Sequence, residues 1–126
     1  MSLALTIPSA VALIVIPLPL VSVLFQRGAA YFEQDQLQQA VENWSAVLEI
    51  DPEHADARYN RGLASRQLGD AMQAVADLTA YLSLVPDSAE AFNQRGLAYL
   101  ELEQVEQAIA DVTRSEIPQV QKMLEN

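Results

Sequence analysis

The sequence predicts an all-α solenoid of three two-helix repeats, and the spacing of small residues supports this fold class. Three glycines recur at a 34-residue interval and each follows an arginine: Gly28, Gly62 and Gly96. The same interval relates alanines and glutamines further along each unit: Ala30, Ala64 and Ala98; Gln39, Gln73 and Gln107; Ala40, Ala74 and Ala108. This interval is the period of a helix-turn-helix repeat rather than of a catalytic motif.

Small and large residues recur where such a repeat needs them. Glycine and alanine on the first helix, with alanine on the second, leave little bulk where two antiparallel helices cross. Larger apolar residues at i, i+3, i+4 spacing predict one buried face on the second helix of each unit. These residues are Val41, Trp44, Val47 and Leu48 in the first unit, and Val75, Leu78, Tyr81 and Leu82 in the second. We interpret them as core residues rather than as a cofactor site.

Turn residues and prolines predict the limits of the helices. The expected ranges are 22–34, 37–49, 54–67, 71–83, 88–101 and 104–116. Pro52 and Pro86 lie at junctions, where the first turn of the next helix tolerates a missing backbone N–H. A seventh short helix over 119–125 carries Val120, Met123 and Leu124 and is expected to cap the stack.

These limits divide the chain into three parts. Residues 1–20 form an apolar N-terminal segment, residues 21–118 form the repeats, and residues 119–126 form the capping helix. The repeat boundaries are 21–54, 55–88 and 89–118.

The repeat pattern resembles that of the tetratricopeptide repeat (TPR) family, which runs W-x2-L-G-x2-Y, then A-x3-F, then a closing proline. The first unit matches best, with Gly28, Tyr31, Ala40, Trp44 and Pro52. The third unit departs from the pattern, because Val120 occupies the position of the closing proline. The resemblance implies a right-handed superhelix whose concave groove is lined by the first helix of each repeat.

The resemblance also implies that this groove binds a peptide or helix of a partner protein. The apolar residues that face the groove are more numerous than a surface in contact with water needs. The 34-residue register gives the groove residues as Phe25, Phe32, Asp56, Tyr59, Asn60, Leu63, Arg66, Glu90, Asn93, Leu97 and Leu100.

One family-level function can be checked residue by residue. Chaperone-binding members of the family hold the terminal carboxylate of a peptide with lysine, asparagine and arginine side chains. Of the corresponding positions here only Asn60 matches, because Phe25, Ala29, Glu90 and Gln94 occupy the others. A cationic cradle for a carboxylate is therefore not expected.

Composition argues against several other classes of function. The 126 residues have a net charge of −10, so the chain would repel the phosphate backbone, and we expect no nucleic-acid binding. The chain has no cysteine, and its only histidine, His54, lies among acids at a helix start, a pattern typical of capping. Because no nucleophile–base pair, phosphate-binding loop or metal signature occurs, we expect no catalytic residues, no cofactor and no metal.

The segment 1–26 differs from the rest of the chain, because every charged side chain lies at or beyond Arg27. A helix over residues 3–25 would be about 35 Å long, enough to cross a bilayer, although Pro17 and Pro19 are expected to kink or break it. Three interpretations stay open: a membrane anchor, a cleaved secretory signal, and an arm that docks on a partner or on a second copy of the chain. The anchor would include Leu13, Ile14, Val15, Ile16, Leu18 and Leu20.

The preferred function is a non-enzymatic interaction scaffold, held by residues 1–25 at a bilayer or at a subunit of a membrane complex whose assembly or stability it assists. Arg27 lies on the repeat side of the apolar run, which places the repeats on the cytoplasmic side of the membrane. The alternative is a soluble or exported adaptor whose apolar arm docks into another subunit or protomer, so a homo-oligomer is included among the partners.

The arginines before the glycines form a ladder at one register. In the structural interpretation, each guanidinium of Arg27, Arg61 and Arg95 pairs with an acid of a neighbouring helix, near Asp77 or Asp111. In the functional alternative, the ladder contacts acidic lipid or protein.

Overall fold

The computed structural model describes residues 17–125, which form six α-helices. The helices are α1 (Pro17–Glu33), α2 (Leu37–Ile50), α3 (Ala55–Gln67), α4 (Ala71–Leu84), α5 (Ala89–Glu101) and α6 (Val105–Glu125). Each helix packs mainly on the helices that precede and follow it in the chain. The predicted fold class, an all-α solenoid of three helix pairs, is therefore confirmed.

A buried tryptophan fixes the crossing of the first helix pair. Nε1 of Trp44 donates a hydrogen bond to the backbone carbonyl of Phe25 at 3.2 Å, which satisfies the indole N–H. Gly28 lies against the same ring, and a Cβ added to it would be 2.5 Å from Nε1. The first repeat therefore requires glycine at this position, because the indole occupies the space of a side chain.

Smaller side chains fill the same crossing in the later repeats. Leu78 and Val112 occupy the register of Trp44. A Cβ on Gly62 would lie 3.2 Å from Leu78, and one on Gly96 would lie 3.0 Å from Val112. The contact is therefore tightest in the first repeat.

The turn inside each repeat uses left-handed backbone at one register position. Gly69 has φ of 88°, and Asp35 and Glu103, each one repeat period away, have φ of 60°. Glycine adopts this conformation without strain, whereas a side chain costs about 1–2 kcal/mol there. Only the second repeat has the unstrained residue.

Side chains cap the N-termini of α3, α4 and α5. Nδ1 of His54 accepts the backbone N–H of Ala57 at 3.1 Å, and Oγ of Ser88 accepts that of Ala91 at the same distance. Asp70 caps α4 in the same way. The predicted capping role of His54 is confirmed, and such a cap contributes about 1 kcal/mol.

The N-terminal boundary differs from the prediction, because α1 begins at Pro17 rather than at residue 22. Pro17 and Pro19 lie in its first turn, where backbone N–H groups have no acceptor within the helix, so proline is tolerated. The prediction that they kink or break a helix over residues 3–25 lies partly outside the described residues. Leu18 and Leu20, predicted as anchor residues, belong to the first repeat helix.

The predicted membrane localisation is also corrected. Over residues 17–125 we find no helix that is both long enough and apolar enough to span a bilayer. α1 is 17 residues long, includes Arg27 and Glu33, and packs one face on α2. The prediction of a membrane-associated chain with cytoplasmic repeats is therefore wrong. The predicted anchor residues 13–16 lie outside the described residues.

The C-terminal end also differs from the prediction. α6 continues to Glu125, so the separate capping helix predicted over 119–125 is not formed. Pro118 lies inside α6 and removes one backbone hydrogen bond, to the carbonyl of Arg114, at a cost of about 3 kcal/mol. Because both residues are exposed, water can reach that carbonyl. Val120, Met123 and Leu124 extend the helix as exposed apolar residues.

Candidate functional site

The first helices of the repeats form one face of the stack. α3 contacts α5 directly, and α1 and α3 border a common cavity of about 120 Å³. The cavity is lined by Ala29, Phe32, Glu33, Trp44, Asn60 and Leu63. The structure therefore brings together Phe32, Asn60 and Leu63, three of the predicted groove residues.

Two phenylalanines of the predicted groove pack against the first repeat. The ring of Phe32 lies 5.8 Å from that of Trp44, tilted by 47°, and is half-buried beside the cavity. Phe25 lies 6.4 Å from Trp44 and 5.0 Å from His54 at the start of α3. Phe25 therefore joins the first two repeats, whereas Phe32 presents part of its ring to the groove.

Tyr59 is also held by packing. Its ring lies 5.0 Å from that of Tyr81, and its buried hydroxyl makes no hydrogen bond of standard geometry within residues 17–125. Burial of this hydroxyl and the proximity of Glu90 raise the pKa of Tyr59 above its ordinary value. The phenol therefore stays protonated at neutral pH, between the second and third repeats.

The third repeat gives the groove a more polar end. Glu90 and Asn93 border a separate cavity of about 320 Å³, which is lined by Ala89, Glu90, Asn93, Ser115, Glu116 and Gln119. Leu97 is half-buried and Leu100 is exposed on α5. Glu90 and Asn93 therefore border a polar cavity between α5 and α6, while Leu97 and Leu100 lie on α5 and line neither of the two cavities.

A salt bridge crosses the face between the second and third repeats. Nη1 of Arg66 lies 2.8 Å from Oε1 of Glu101, which connects α3 to α5. Because the pair is partly exposed, it contributes little to stability, about 0–1 kcal/mol. Asp56, in the first turn of α3, is exposed and lies in neither cavity.

Arg61 of the arginine ladder connects two repeats. Its Nε and Nη2 donate to the two carboxylate oxygens of Asp77 at 2.8 and 2.7 Å, and its Nη1 donates to Oγ of Ser45 at 3.1 Å. The guanidinium thereby joins α3 to α4 of its own repeat and to α2 of the preceding repeat. The predicted pairing of Arg61 with a neighbouring acid is confirmed.

Arg95 repeats this arrangement one unit later. Nε and Nη2 bond the carboxylate of Asp111 at 2.7 and 2.8 Å, and Nη1 bonds Oγ1 of Thr79 at 3.1 Å. Hydrogen bonds to the acid raise the pKa of both guanidinium groups, of Arg61 and of Arg95, although burial opposes the shift. The hydroxyl partners were not predicted from the sequence, although the 34-residue interval between Ser45 and Thr79 could have revealed them.

Arg27 does not follow this arrangement. Asn43 occupies the register of Asp77, and its amide donates to the backbone carbonyl of Gln39 at 2.8 Å. No ion pair found among residues 17–125 includes Arg27, which is exposed. The predicted pairing therefore does not extend to the first repeat.

Residues 17–125 contain no group of three or more histidine, cysteine, aspartate or glutamate side chains that could hold a metal ion. His54 uses Nδ1 to cap α3. The expected lack of a cofactor stays a prediction.

Stacked 34-residue helix pairs with a groove along their first helices define a helical-repeat module of the kind that binds other proteins. The tetratricopeptide repeat family matches this chain over residues 27–92 and again over residues 65–120. The chain belongs to this family, and it is a protein–protein interaction module. A comparison with curated protein sequences finds no match.

Solved structures share the fold. The first TPR domain of Spaghetti (RPAP3), bound to the HSP90 peptide SRMEEVD, is 26% identical with a TM-score of 0.72, and the match covers 76% of each chain. MamA from Desulfovibrio magneticus RS-1 is 29% identical with a TM-score of 0.75, over 76% of this chain and 54% of MamA. This chain therefore spans about half of that solved MamA chain. The Arabidopsis OM64 TPR domain, at 24% identity and a TM-score of 0.76 over 80% of this chain and 84% of that domain, shows the fold alone.

Proposed function

We propose that this TPR module is an adaptor that binds an apolar peptide or helix of a partner protein between α1 and α3. The observation that carries the proposal is the cavity where the half-buried side chains of Phe32 and Leu63 meet. A peptide ligand is supported by the Spaghetti domain, which is bound to an HSP90 peptide at 26% identity. The partner would insert one apolar side chain against these two residues.

The charges around the cavity indicate what kind of peptide fits. Glu33 lines it, and Asp56 and Glu90 are exposed on α3 and α5, the next two first helices. Ala29, also in the lining, occupies a position where chaperone-binding members carry a polar clamp residue. The groove therefore favours an apolar segment with basic flanks over an acidic terminus such as that of SRMEEVD.

Asn60 supplies the polar group of the cavity. Its side chain is half-buried beside Leu63 and carries both a donor and an acceptor. Such an amide can pair with the backbone of an extended peptide and fix its direction, while the apolar residues supply affinity.

The proposal adopts the alternative function given by the sequence, an adaptor. The family match supports the part of it that is a protein–protein interaction module. Docking of the apolar arm, predicted as residues 1–20, on another subunit or protomer stays a prediction. The other predicted groove residues, Asp56, Arg66, Asn93, Leu97 and Leu100, are proposed as secondary contacts along the same face.

Selection of peptides against the full-length chain from a random displayed library tests the proposal. We expect selected peptides to combine aliphatic or aromatic anchors with lysine or arginine. Leu63→Ala should weaken their binding by about fivefold or more, because a central interface side chain contributes about 1–3 kcal/mol. Fluorescence anisotropy with labelled peptides measures the effect.

A matched control removes apolar surface elsewhere. Met72 is 73% exposed on α4, a second helix of a repeat, so Met72→Ala should leave peptide affinity unchanged. Thermal melts by circular dichroism check that both variants fold. Equal affinities of wild type and Leu63→Ala would contradict the proposed site.

A further inference from the structure

The outer face of α1 has the register of an α3 face that is buried inside the stack. Ala57 and Ala64 of α3 are fully buried in the cluster that includes the α2 core. The same register positions of α1 are Val23, which is 52% exposed, and Ala30, which is also exposed. Within residues 17–125, no helix covers this face of α1.

The outer face of α6 has the register of the α4 face that packs on the next repeat inside the stack. Ala71 and Leu78 of α4 are buried in the clusters that include residues of α5. At the end of the stack, Val105 takes the register of Ala71 and is exposed, and the next residue on this face, Ile109, is 60% exposed. A shallow cavity of about 350 Å³ on this face is lined by Val112, Thr113, Glu116, Ile117, Val120 and Gln121.

These two faces also carry the donor and the acceptor of the hydrogen bond that joins repeats inside the stack. There, Ser45 and Thr79 each accept a bond at 3.1 Å from the arginine of the following repeat. Thr113 lies one repeat period after Thr79 and is exposed on α6, and Arg27 lies one period before Arg61 and is exposed on α1. One end of the stack therefore carries the acceptor and the other end carries the donor.

The charges on the two faces are complementary as well. Arg27 has asparagine, Asn43, where Arg61 has an acid. Glu116 lies one helical turn after Thr113 and takes the register of a leucine that is buried in both earlier repeats. The end of the stack thus has a carboxylate on the face that would receive Arg27.

The lengths of the terminal helices also fit each other. α1 begins at Pro17, about one turn before the register position at which α3 begins, and α6 ends at Glu125, about two turns beyond the end of α4. Successive helices in the stack run antiparallel, so the start of one α1 would lie beside the end of another α6. Leu20 is exposed on the first extension, and Val120, Met123 and Leu124 are exposed on the second.

We propose that a second copy of this chain stacks its α1 on α6 of the first copy and continues the repeat register, with Arg27 bonded to Thr113 and Glu116. The contact joins two different surfaces and leaves one free end on each copy, so it produces head-to-tail oligomers that lengthen with concentration. The partner groove lies along the first helices and stays open in such a stack.

Charge reversal tests this contact in the full-length chain. Sedimentation velocity of the wild type should show a sedimentation coefficient that rises with concentration. Arg27→Glu alone and Glu116→Arg alone should each weaken association by about tenfold or more, because like charges then face each other. An equimolar mixture of the two variants should associate again, because the acidic α1 face of the Arg27→Glu variant then meets the basic α6 face of the Glu116→Arg variant.

A matched control separates this contact from a general charge effect. Glu106→Arg changes an exposed α6 residue whose register equivalent is the exposed Met72, and it should leave association unchanged. Because Arg27 and Glu116 are exposed, all variants should keep the wild-type circular dichroism.

Three results would overturn the proposal. The first is a wild type that stays monomeric at every concentration, and the second is an oligomer that neither reversal weakens. The third is an oligomer that requires residues 1–16 but is insensitive to the reversals, since the apolar arm would then be the contact.

Discussion

Replacing Asp77 with asparagine tests how strongly the arginine ladder stabilises the repeats. Asp77 is 0% exposed and accepts two bonds from Arg61, whose side chain is only 16% exposed. Asparagine fits the shape of the site, since Asn43 occupies the same register in the first repeat. The substitution therefore removes the carboxylate charge while it changes the volume very little.

The expected loss follows from the unpaired guanidinium. Removing one partner of a buried ion pair costs about 3–5 kcal/mol, because the other charge stays buried without compensation. Arg61 keeps its bond to Ser45 and some contact with solvent, so we expect the lower end, about 3 kcal/mol. A domain of this size has a total stability of about 5–15 kcal/mol, so the loss is easily measured.

Urea unfolding followed by circular dichroism gives the free energy of unfolding from the midpoint and the slope. Asp111→Asn, with a slightly more exposed carboxylate in the terminal repeat, should lose somewhat less than Asp77→Asn. Glu101→Gln removes the acid of the exposed pair with Arg66 and should cost about 0–1 kcal/mol. A loss for Asp77→Asn no larger than that for Glu101→Gln would refute the reasoning.

Three further substitutions test local features by thermal and urea unfolding. Gly28→Ala should lower the free energy of unfolding by about 2–3 kcal/mol, because its Cβ would overlap the ring of Trp44. Gly62→Ala should stay within about 1 kcal/mol of the wild type, and equal losses for the two variants would contradict this account. Tyr59→Phe should retain or gain stability at neutral pH, because it removes a buried hydroxyl without a standard hydrogen bond. The pKa of Tyr59 is raised in the folded state, so the wild type should lose stability as pH rises above about 10, where the unfolded chain ionises first, and the variant should lose less. Glu103→Gly should gain about 1 kcal/mol by relieving a positive φ, and a lower melting temperature would contradict that account.

The fold was predictable because one interval repeats in the sequence. The 34-residue spacing fixes which small residues cross and where the junctions fall, and the helices between residues 37 and 101 agree with it closely. The ends were not predictable in this way, because a terminal repeat lacks a neighbour on one side. Proline is compatible with a helix start at Pro17 and with a helix interior at Pro118, and its presence alone does not distinguish them.

The repeat register predicts which residues lie on the groove side of each first helix, but it does not predict how exposed each side chain is. The register shows which side of a helix a residue faces, and it placed Phe32, Asn60 and Leu63 together. It does not show which side chain of the next helix covers a residue. Phe25 is packed against His54 and Tyr59 against Tyr81, and neither pair recurs at the repeat interval.

The most direct test of the central claim is to map a bound peptide on the isotopically labelled full-length chain by NMR chemical-shift perturbation. The largest shifts should occur at the amides and side chains around Phe32, Asn60 and Leu63, with saturation at one peptide per chain. Shifts centred on the exposed face of α4 around Met72, or on the outer face of α6, would contradict the claim that the groove between α1 and α3 is the partner-binding site.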